Sequence, residues 1–356
     1  MSLRKGILSV TFRALMLFFA GCLILCYLSV FFNPARAWVM TLFGLLYVPL
    51  LLLNIFLLVW ALICRSRAFL IPLVALLPSV FLLGRYFQIS APDSSGEDSI
   101  KIVSYNVGRF STPARRFQGE GQAACADSVT EYLKSVDPDI ICFQEVQLRD
   151  ASAARSWVAS RFPGYYIEYY IYPDNSGAYG NLTLSRFPIR DKGKLDFGKS
   201  SNLAIWSEYE IAGRRIRVYN CHFQSYSISL SRVAKSLSGD YRKTVADTEE
   251  KMKASIKRRP EQVEAVIKHA QESAVPSVVA GDFNDNPLSY TYWRLSRGRK
   301  DTFVEAGKGA GATYRGLWPL LRIDYILYPE EFRAVSHSVP HKSYSDHYPI
   351  IAEIAL

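Results

Sequence analysis

The chain's 356 residues are too many for one average domain, and its 49% of hydrophobic residues are unevenly placed: residues 1–90 are almost continuously apolar, while everything after Asp93 has the balance of an ordinary α/β protein. The net charge is +10, but residues 1–97 hold seven basic side chains and two acidic ones, so half of the excess belongs to the apolar region, and a pI near 9.2 is weak ground for a nucleic-acid-binding reading. Six cysteines do not indicate a disulfide framework: Cys22, Cys26 and Cys64 fall in apolar stretches, and Cys125, Cys142 and Cys221 are an odd set without metal-type spacing, of which Cys142 and Cys221, in apolar runs, read as buried structural thiols.

Three apolar stretches come first, Ile7–Phe32, Trp38–Cys64 and Ala68–Phe87. Each reaches the roughly 20 residues that a helix needs to cross about 30 Å of hydrocarbon. Three transmembrane helices are therefore expected, kinked at Pro49, Pro72 and Pro78. Arg4, Lys5 and Arg13 mark the N-terminus as cytoplasmic and Arg65 with Arg67 marks the second loop likewise, whereas the segment after the third stretch is acidic. Three crossings from an inside start put the remainder outside, at the inner membrane facing the periplasm in a Gram-negative cell. Cleavage as a signal peptide at Ala35-Arg36-Ala37 is the rival reading; it leaves two spans and the same final side.

The expected division is an anchor over residues 1–90, a short acidic linker over 91–99 and one domain over 100–356. In that domain Lys101–Val107, Ile140–Phe143, Asn181–Ser185, Ile216–Cys221, Ser277–Ala280 and Ile323–Tyr328 have strand length and strand composition. Ala123–Ser135, Ala151–Arg161 and Glu261–Glu272 carry apolar residues at helical spacing. The alternation predicts an α/β fold of two packed sheets with helices outside. Between strand and helix, residues Tyr226–Pro260 hold nine cations and four acids, a +5 excess equal to that of the whole domain. This arm reads either as a solvated insertion or as a grip on an anionic substrate or membrane surface.

Polar residues recur where the apolar runs end: Asn106 in Ser-Tyr-Asn-Val, Glu145 in Phe-Gln-Glu-Val, His222 in Asn-Cys-His-Phe, Asp282 and Asn284 in Gly-Asp-Phe-Asn, Asp324 in Arg-Ile-Asp-Tyr-Ile, and Asp346 with His347 in Ser-Asp-His-Tyr-Pro. Separately each has a bland reading, as an Asx turn, a bend or a satisfied core imidazole. Together they supply hard oxygen ligands for a cation, a carboxylate to take a proton from water, and imidazoles to neutralise developing charge, which is what phosphate-ester hydrolysis requires.

These blocks, in this order, resemble the endonuclease/exonuclease/phosphatase superfamily, which shares the pancreatic deoxyribonuclease fold, and the resemblance runs from about Ile100 to Leu356. It implies a four-layer α/β sandwich, two packed sheets flanked by helices. It implies Glu145 as principal metal ligand with Asn106 beside it and Asp346 near the metal, the ion being Mg2+ or Mn2+. It implies Asp282 as the group that orients or deprotonates water, Asn284 and His222 as phosphate contacts, and His347 at the scissile phosphate, oriented by Asp324. The substrate is a phosphorylated one, a lipid head group or other phosphorylated compound favoured by the tether, with DNA or RNA as the alternative; a catalytically silent scaffold is the third reading, and no obligate protein partner is implied.

Overall fold

The structure is a computed structural model that describes residues 2–89, 98–111, 121–174, 177–198, 202–226 and 241–356. Most of the acidic linker and residues 227–240 of the basic arm lie outside the described residues.

The apolar region folds as helices α1 (Ser2–Leu28), α2 (Trp38–Leu45), α3 (Tyr47–Ile63) and α4 (Arg67–Arg85). Two helical stretches, Val10–Phe31 and Arg67–Arg85, are each long and apolar enough to cross a membrane. The second expected span, Trp38–Cys64, is not one straight helix: α2 and α3 meet at Leu46 with a bend of 55°. Pro49 explains the break, because it has no N–H to give the carbonyl of Leu45. Inside the bundle Asn54 donates to the carbonyls of Phe19 (3.2 Å) and Leu50 (2.8 Å), and the Tyr27 hydroxyl meets Ser79 Oγ at 2.6 Å. Such polar contacts hold apolar helices together where burial gives no preference.

The rest of the chain carries β1 (Phe87–Ile89), β2 (Ser99–Asn106), helix α5 (Gln122–Val136), β3 (Ile140–Leu148), α6 (Ala153–Arg161), β4 (Tyr166–Asp174), β5 (Gly177–Ser185), β6 (Asp191–Leu195), β7 (Leu203–Ile211), β8 (Arg214–His222), α7 (Tyr241–Gln271), β9 (Ser277–Asp282), α8 (Tyr290–Leu295), β10 (Arg299–Asp301), α9 (Thr302–Ala306), β11 (Lys308–Ala310), β12 (Asp324–Pro329), β13 (Arg333–Ser338) and β14 (Ile350–Ala355). They form two six-stranded sheets, ordered β13-β14-β2-β3-β5-β4 and β10-β12-β9-β8-β7-β6. Ile102, Ile140 and Ile350 from one sheet meet Ile216, Val278 and Ile326 from the other in the central core. On the outer faces, Val129 and Leu133 of α5 and Val158 of α6 cover Tyr105 and Phe143, while Val263 and Val266 of α7 cover Tyr219 and Val279. This is the expected four-layer sandwich.

A polar bolt crosses the central layer. Asn220 of β8 accepts from Gln144 Nε2 (2.8 Å) and donates to the carbonyls of Phe143 (3.1 Å) and Leu182 (2.9 Å), all buried. Cys142 and Cys221 lie beside it, fully buried and unpaired, and burial pushes the Cys142 thiol up to about 12, so both are structural thiols as expected.

The two parts of the chain are in contact through the segment that follows β9. The Asn286 amide donates to the Gly44 carbonyl (2.8 Å), Ser29 Oγ donates to the Leu288 carbonyl (3.2 Å), and Arg85 reaches the Pro287 carbonyl (3.3 Å). Leu288 is packed among Leu23, Cys26 and Tyr47 of the helical bundle. Gly44 permits the approach: a Cβ there would lie 2.7 Å from the Leu288 carbonyl oxygen.

Candidate active site

The sheet register lines up three of the expected site residues. Asp282 closes β9, with His222 opposite it on β8 and Asp324 opposite it on β12. Gly281 makes this possible, since at φ +140 it runs so close to β8 that a Cβ would meet the Cys221 carbonyl oxygen at 1.9 Å. The other sheet supplies Asn106 at the end of β2 and Glu145 from β3. Glu145 is not at a strand end, as the sequence pattern suggests. It sits at a bulge within β3, where pairing with β5 shifts between Phe143 and Val146, and its own φ is +55. The bulge re-aims a side chain that a regular strand would hold in the sheet's alternation.

Asn106 joins the two sheets: its Nδ2 donates to Asp282 Oδ2 (2.9 Å) and to Glu145 Oε1 (3.3 Å). Asn284, also at positive φ (+52), directs its amide to the same Asp282 oxygen (3.0 Å) and to the Phe223 carbonyl (3.0 Å), so this amide orients Asp282. His347 Nδ1 faces Asp324 Oδ2 at 3.0 Å, and its Nε2 faces Asp282 Oδ2 at 3.8 Å. His222 Nε2 stands 3.5 Å from Glu145 and 3.9 Å from Asp282. Neither nitrogen of the buried His222 ring has a hydrogen-bond partner among the described residues. Asp346 accepts from Ser345 Oγ (3.2 Å), and its carboxylate crowds Gly108, where a Cβ would meet Asp346 Oδ1 at 2.9 Å. All eight expected residues therefore gather in one place.

Protonation states diverge across this cluster. Burial pushes Asp282 up to about 6, with Asp324 adding to the rise and His347 opposing it. Burial alone would lower His347, but the carboxylates of Asp324 and Asp282 overcome it and hold the ring well above its ordinary value, as imidazolium. Burial lowers His222, which is neutral. Glu145, with 28% of its side chain exposed, is raised by desolvation and then by the nearby charge of Asp346.

Two groups of donors could hold a cation. Ligand atoms of Asp282, Asp324 and His347 lie within 4.8 Å of one another, but the protonated ring repels a cation and both carboxylates are committed to it or to the Asn amides. Glu145, Asn106 and Asp346 fit better: two mutually repelling carboxylates and a side-chain amide are hard oxygen donors suited to magnesium or manganese.

Sequence reasoning passed over four neighbours. Tyr314 bridges the His347 backbone, and its ring meets that imidazole edge to face with ring centres 5.3 Å apart. Ser345 ties the last block to the first by donating to the Asn106 carbonyl (2.8 Å). Arg109 stacks 4.4 Å over Tyr179, which is buried near Glu145 and raised by that burial. Ser345 alone had a signal, the Ser-Asp-His block; the others are brought in by the fold.

A two-sheet sandwich with carboxylates, amides and a carboxylate-held imidazolium at one end defines a phosphate-ester hydrolase. The Endonuclease/Exonuclease/phosphatase family profile matches residues 103–347, and the chain belongs to that family, whose members hydrolyse phosphate esters and generally use divalent metal ions. Residues 9–86 match a domain of unknown function, DUF8431. No curated protein matches the chain. Among solved structures, an endonuclease/exonuclease/phosphatase from Bacteroides vulgatus is 18% identical with a TM-score of 0.55, covering 73% of this chain and 100% of its own. The mannosyl-6-phosphatase of Bacteroides thetaiotaomicron is 16% identical (TM-score 0.53; 72% and 100% covered), and the human Nocturnin catalytic domain, solved with a sulfate anion, is 17% identical (TM-score 0.52; 72% and 93%). At these identities the likeness is one of fold.

Proposed function

We propose that the chain is a membrane-anchored, divalent-metal-dependent phosphoesterase, with residues 1–90 as anchor, 91–99 as linker and 100–356 as the catalytic domain, acting outside the cytoplasm on a phosphorylated compound at the membrane. The observation that carries this reading is the facing pair of Asp282 and His347, a carboxylate and an imidazolium 3.8 Å apart with Asp324 fixing the ring. Asp282, held by two amides, takes the proton of the attacking water. His347 neutralises charge as it develops on the phosphoryl oxygens, and neutral His222, with both nitrogens unpartnered, is left to meet a phosphate oxygen. Glu145, Asn106 and Asp346 would hold the cation, which when bound supplies Lewis-acid neutralisation of a phosphoryl oxygen.

The contacts of the helices support three crossings. Phe31 and Ser29, ending the first span, and Arg85, ending the last, all touch the segment 287–293 of the catalytic part. Both spans finish beside the same segment, which supports a return crossing by α2 and α3 to the side where Arg65 and Arg67 lie. Cysteine labelling in intact cells tests this; protection of residues 98–356 until the inner membrane is breached overturns an external domain. Turnover by the full chain in vesicles, with magnesium and with chelator, tests the chemistry across sphingomyelin, phosphoinositides, a soluble diester, DNA and RNA. Selective turnover of DNA or RNA would favour the nuclease reading; silence on every substrate would leave a scaffold.

A further inference from the structure

From residue 98 onward, the large apolar side chains left exposed among the described residues are Tyr166 and three neighbours in one loop, Leu317, Trp318 and Leu320, each more than 40% exposed. The loop is pinched at its base, where the Thr313 and Tyr314 amides both donate to the Leu321 carbonyl (3.0 and 3.1 Å). Its base touches the active site on one side: Tyr314 packs on His347, and the Arg315 amide donates to the Asp346 carbonyl (2.8 Å). On the other side it touches the end of the last span. The Gly311 amide donates to the Tyr86 carbonyl (3.0 Å), and Arg322 Nη1 donates to the Arg85 carbonyl (3.0 Å). From Arg322 to Trp318 is four residues, which even fully extended cover only about 14 Å. With the reach of the Arg322 side chain added, the tip lies within roughly 20 Å of the Arg85 carbonyl that ends α4. The second loop framing the site, residues 284–288, is fastened to Ser29 and Gly44 near the same helix ends.

We propose that Leu317–Leu320 is seated in the head-group layer of the bilayer that holds the chain's own helices, and that it presents the phosphate of a membrane phospholipid to His347. This rests on the phosphoesterase reading above and narrows its substrate to a bilayer-resident lipid. A tryptophan flanked by leucines suits the boundary between water and hydrocarbon, where an aromatic ring with one polar group is preferred. A water-facing loop would leave the same side chains with nothing to bury. Exposed Phe87 and Ile89, which follow the span on β1, continue the apolar surface from the helix towards the catalytic part.

The test uses the full chain in phosphatidylethanolamine/phosphatidylglycerol vesicles. Fluorescence is compared between wild type and Trp318→Phe, so that the difference isolates one tryptophan. Brominated lipids should quench that difference and aqueous iodide should not; the opposite pattern overturns the seating, and iodide protection that appears only at high protein density assigns the loop to contact between copies instead. In the second arm, Leu317→Ser/Leu320→Ser should keep wild-type turnover of soluble bis(4-nitrophenyl) phosphate. It should lose roughly tenfold or more on bilayer phospholipid, as expected when two leucines no longer gain by burial. Equal effects on both substrates, or none on either, overturn the delivery role. Wild-type silence on both substrates would count against the phosphoesterase reading and against delivery, while the quenching arm would still decide the seating.

Discussion

The side-chain amide of Asn286 donates to the backbone carbonyl of Gly44 at 2.8 Å, so a residue four positions beyond Asp282 is held by the helical bundle. Gly44→Val should force the Leu288 carbonyl away, because even a Cβ at that position stands 2.7 Å from it. Since Asn284, which orients Asp282, lies between the two, the expected result is a fall in kcat with little change in KM. Asn286→Ala, which removes two hydrogen bonds of about 1 kcal/mol each, to the Gly44 carbonyl and from the Leu288 amide, should also lower kcat, by about five- to thirtyfold. Steady-state kinetics of the full chain in vesicles check both; unchanged kcat in Gly44→Val would uncouple the bundle from the site.

Catalysis should depend on Asp282 and His347 separately. Asp282→Asn and His347→Ala should each reduce turnover by about 100- to 10,000-fold, the usual range for general acid–base groups, with the fold retained by circular dichroism. With Asp282 at about 6, the pH–rate profile should rise through that value, and it should fall only well above pH 6.5, where His347 loses its proton. A flat profile between pH 5 and 8 would contradict these roles.

The same carboxylate has a stability signature. Asp282 binds its proton more tightly folded than unfolded, so the folded state loses stability as pH rises from about 4 to about 6. Asparagine mimics the protonated form. In chelator, Asp282→Asn should therefore melt above wild type at pH 7.5 and level with it at pH 4, with a ceiling of about 3 kcal/mol from two pK units. Thermal melts at the two pH values measure it.

Chelation should abolish turnover and Mg2+ or Mn2+ should restore it. Glu145→Gln keeps the shape but removes one anionic donor, so the metal concentration for half-activation should rise by an order of magnitude or more. A titration of activity against magnesium decides; full activity in chelator ends the metal-hydrolase reading.

The basic arm divides into two kinds of cation. Lys251, Lys257 and Arg258 are exposed on α7, and neutralising them should raise KM and flatten its salt dependence while leaving kcat near wild type. Arg259, counted with them in the sequence, is buried: it pairs with Asp285 at 2.8 Å and lies over the Tyr226 ring. Arg259→Ala should instead destabilise the fold by about 3–5 kcal/mol, because it strands a buried carboxylate. Chemical denaturation distinguishes the two kinds.

Much of the site was legible because its residues follow apolar runs that become adjacent strands. His222, Asp282 and Asp324 end β8, end β9 and begin β12, so strand recognition alone brings them into one row. Glu145 was found by its block, but not its bulge, which depends on pairing with a strand more than thirty residues away in sequence. Strand β7 escaped because, buried on both faces, it shows no alternation, and β6 because Asp-Lys-Gly-Lys reads as a loop. Helix α7 runs from Tyr241 through Pro260 to Gln271, where the proline suggested a boundary at Glu261. The break at Leu46 was signalled by Pro49, but its angle of 55° was not, because hydropathy reports length and polarity and says nothing of direction.

Strand β1 pairs with β11, Phe87 opposite Ala310 and Ile89 opposite Lys308, before the acidic linker is reached. The linker's length therefore does not set how far the active site can travel from the bilayer. Anchored in a bilayer as proposed, the enzyme would be mounted as a tool fixed to a rail: it would move with the plane of the membrane, and each substrate would have to come to it at one height and one orientation. Lengthening the linker by glycine and serine should then leave the reach unchanged, whereas freeing the domain would require cutting the β1–β11 pairing together with the contacts of Asn286 and Leu288 to the helices.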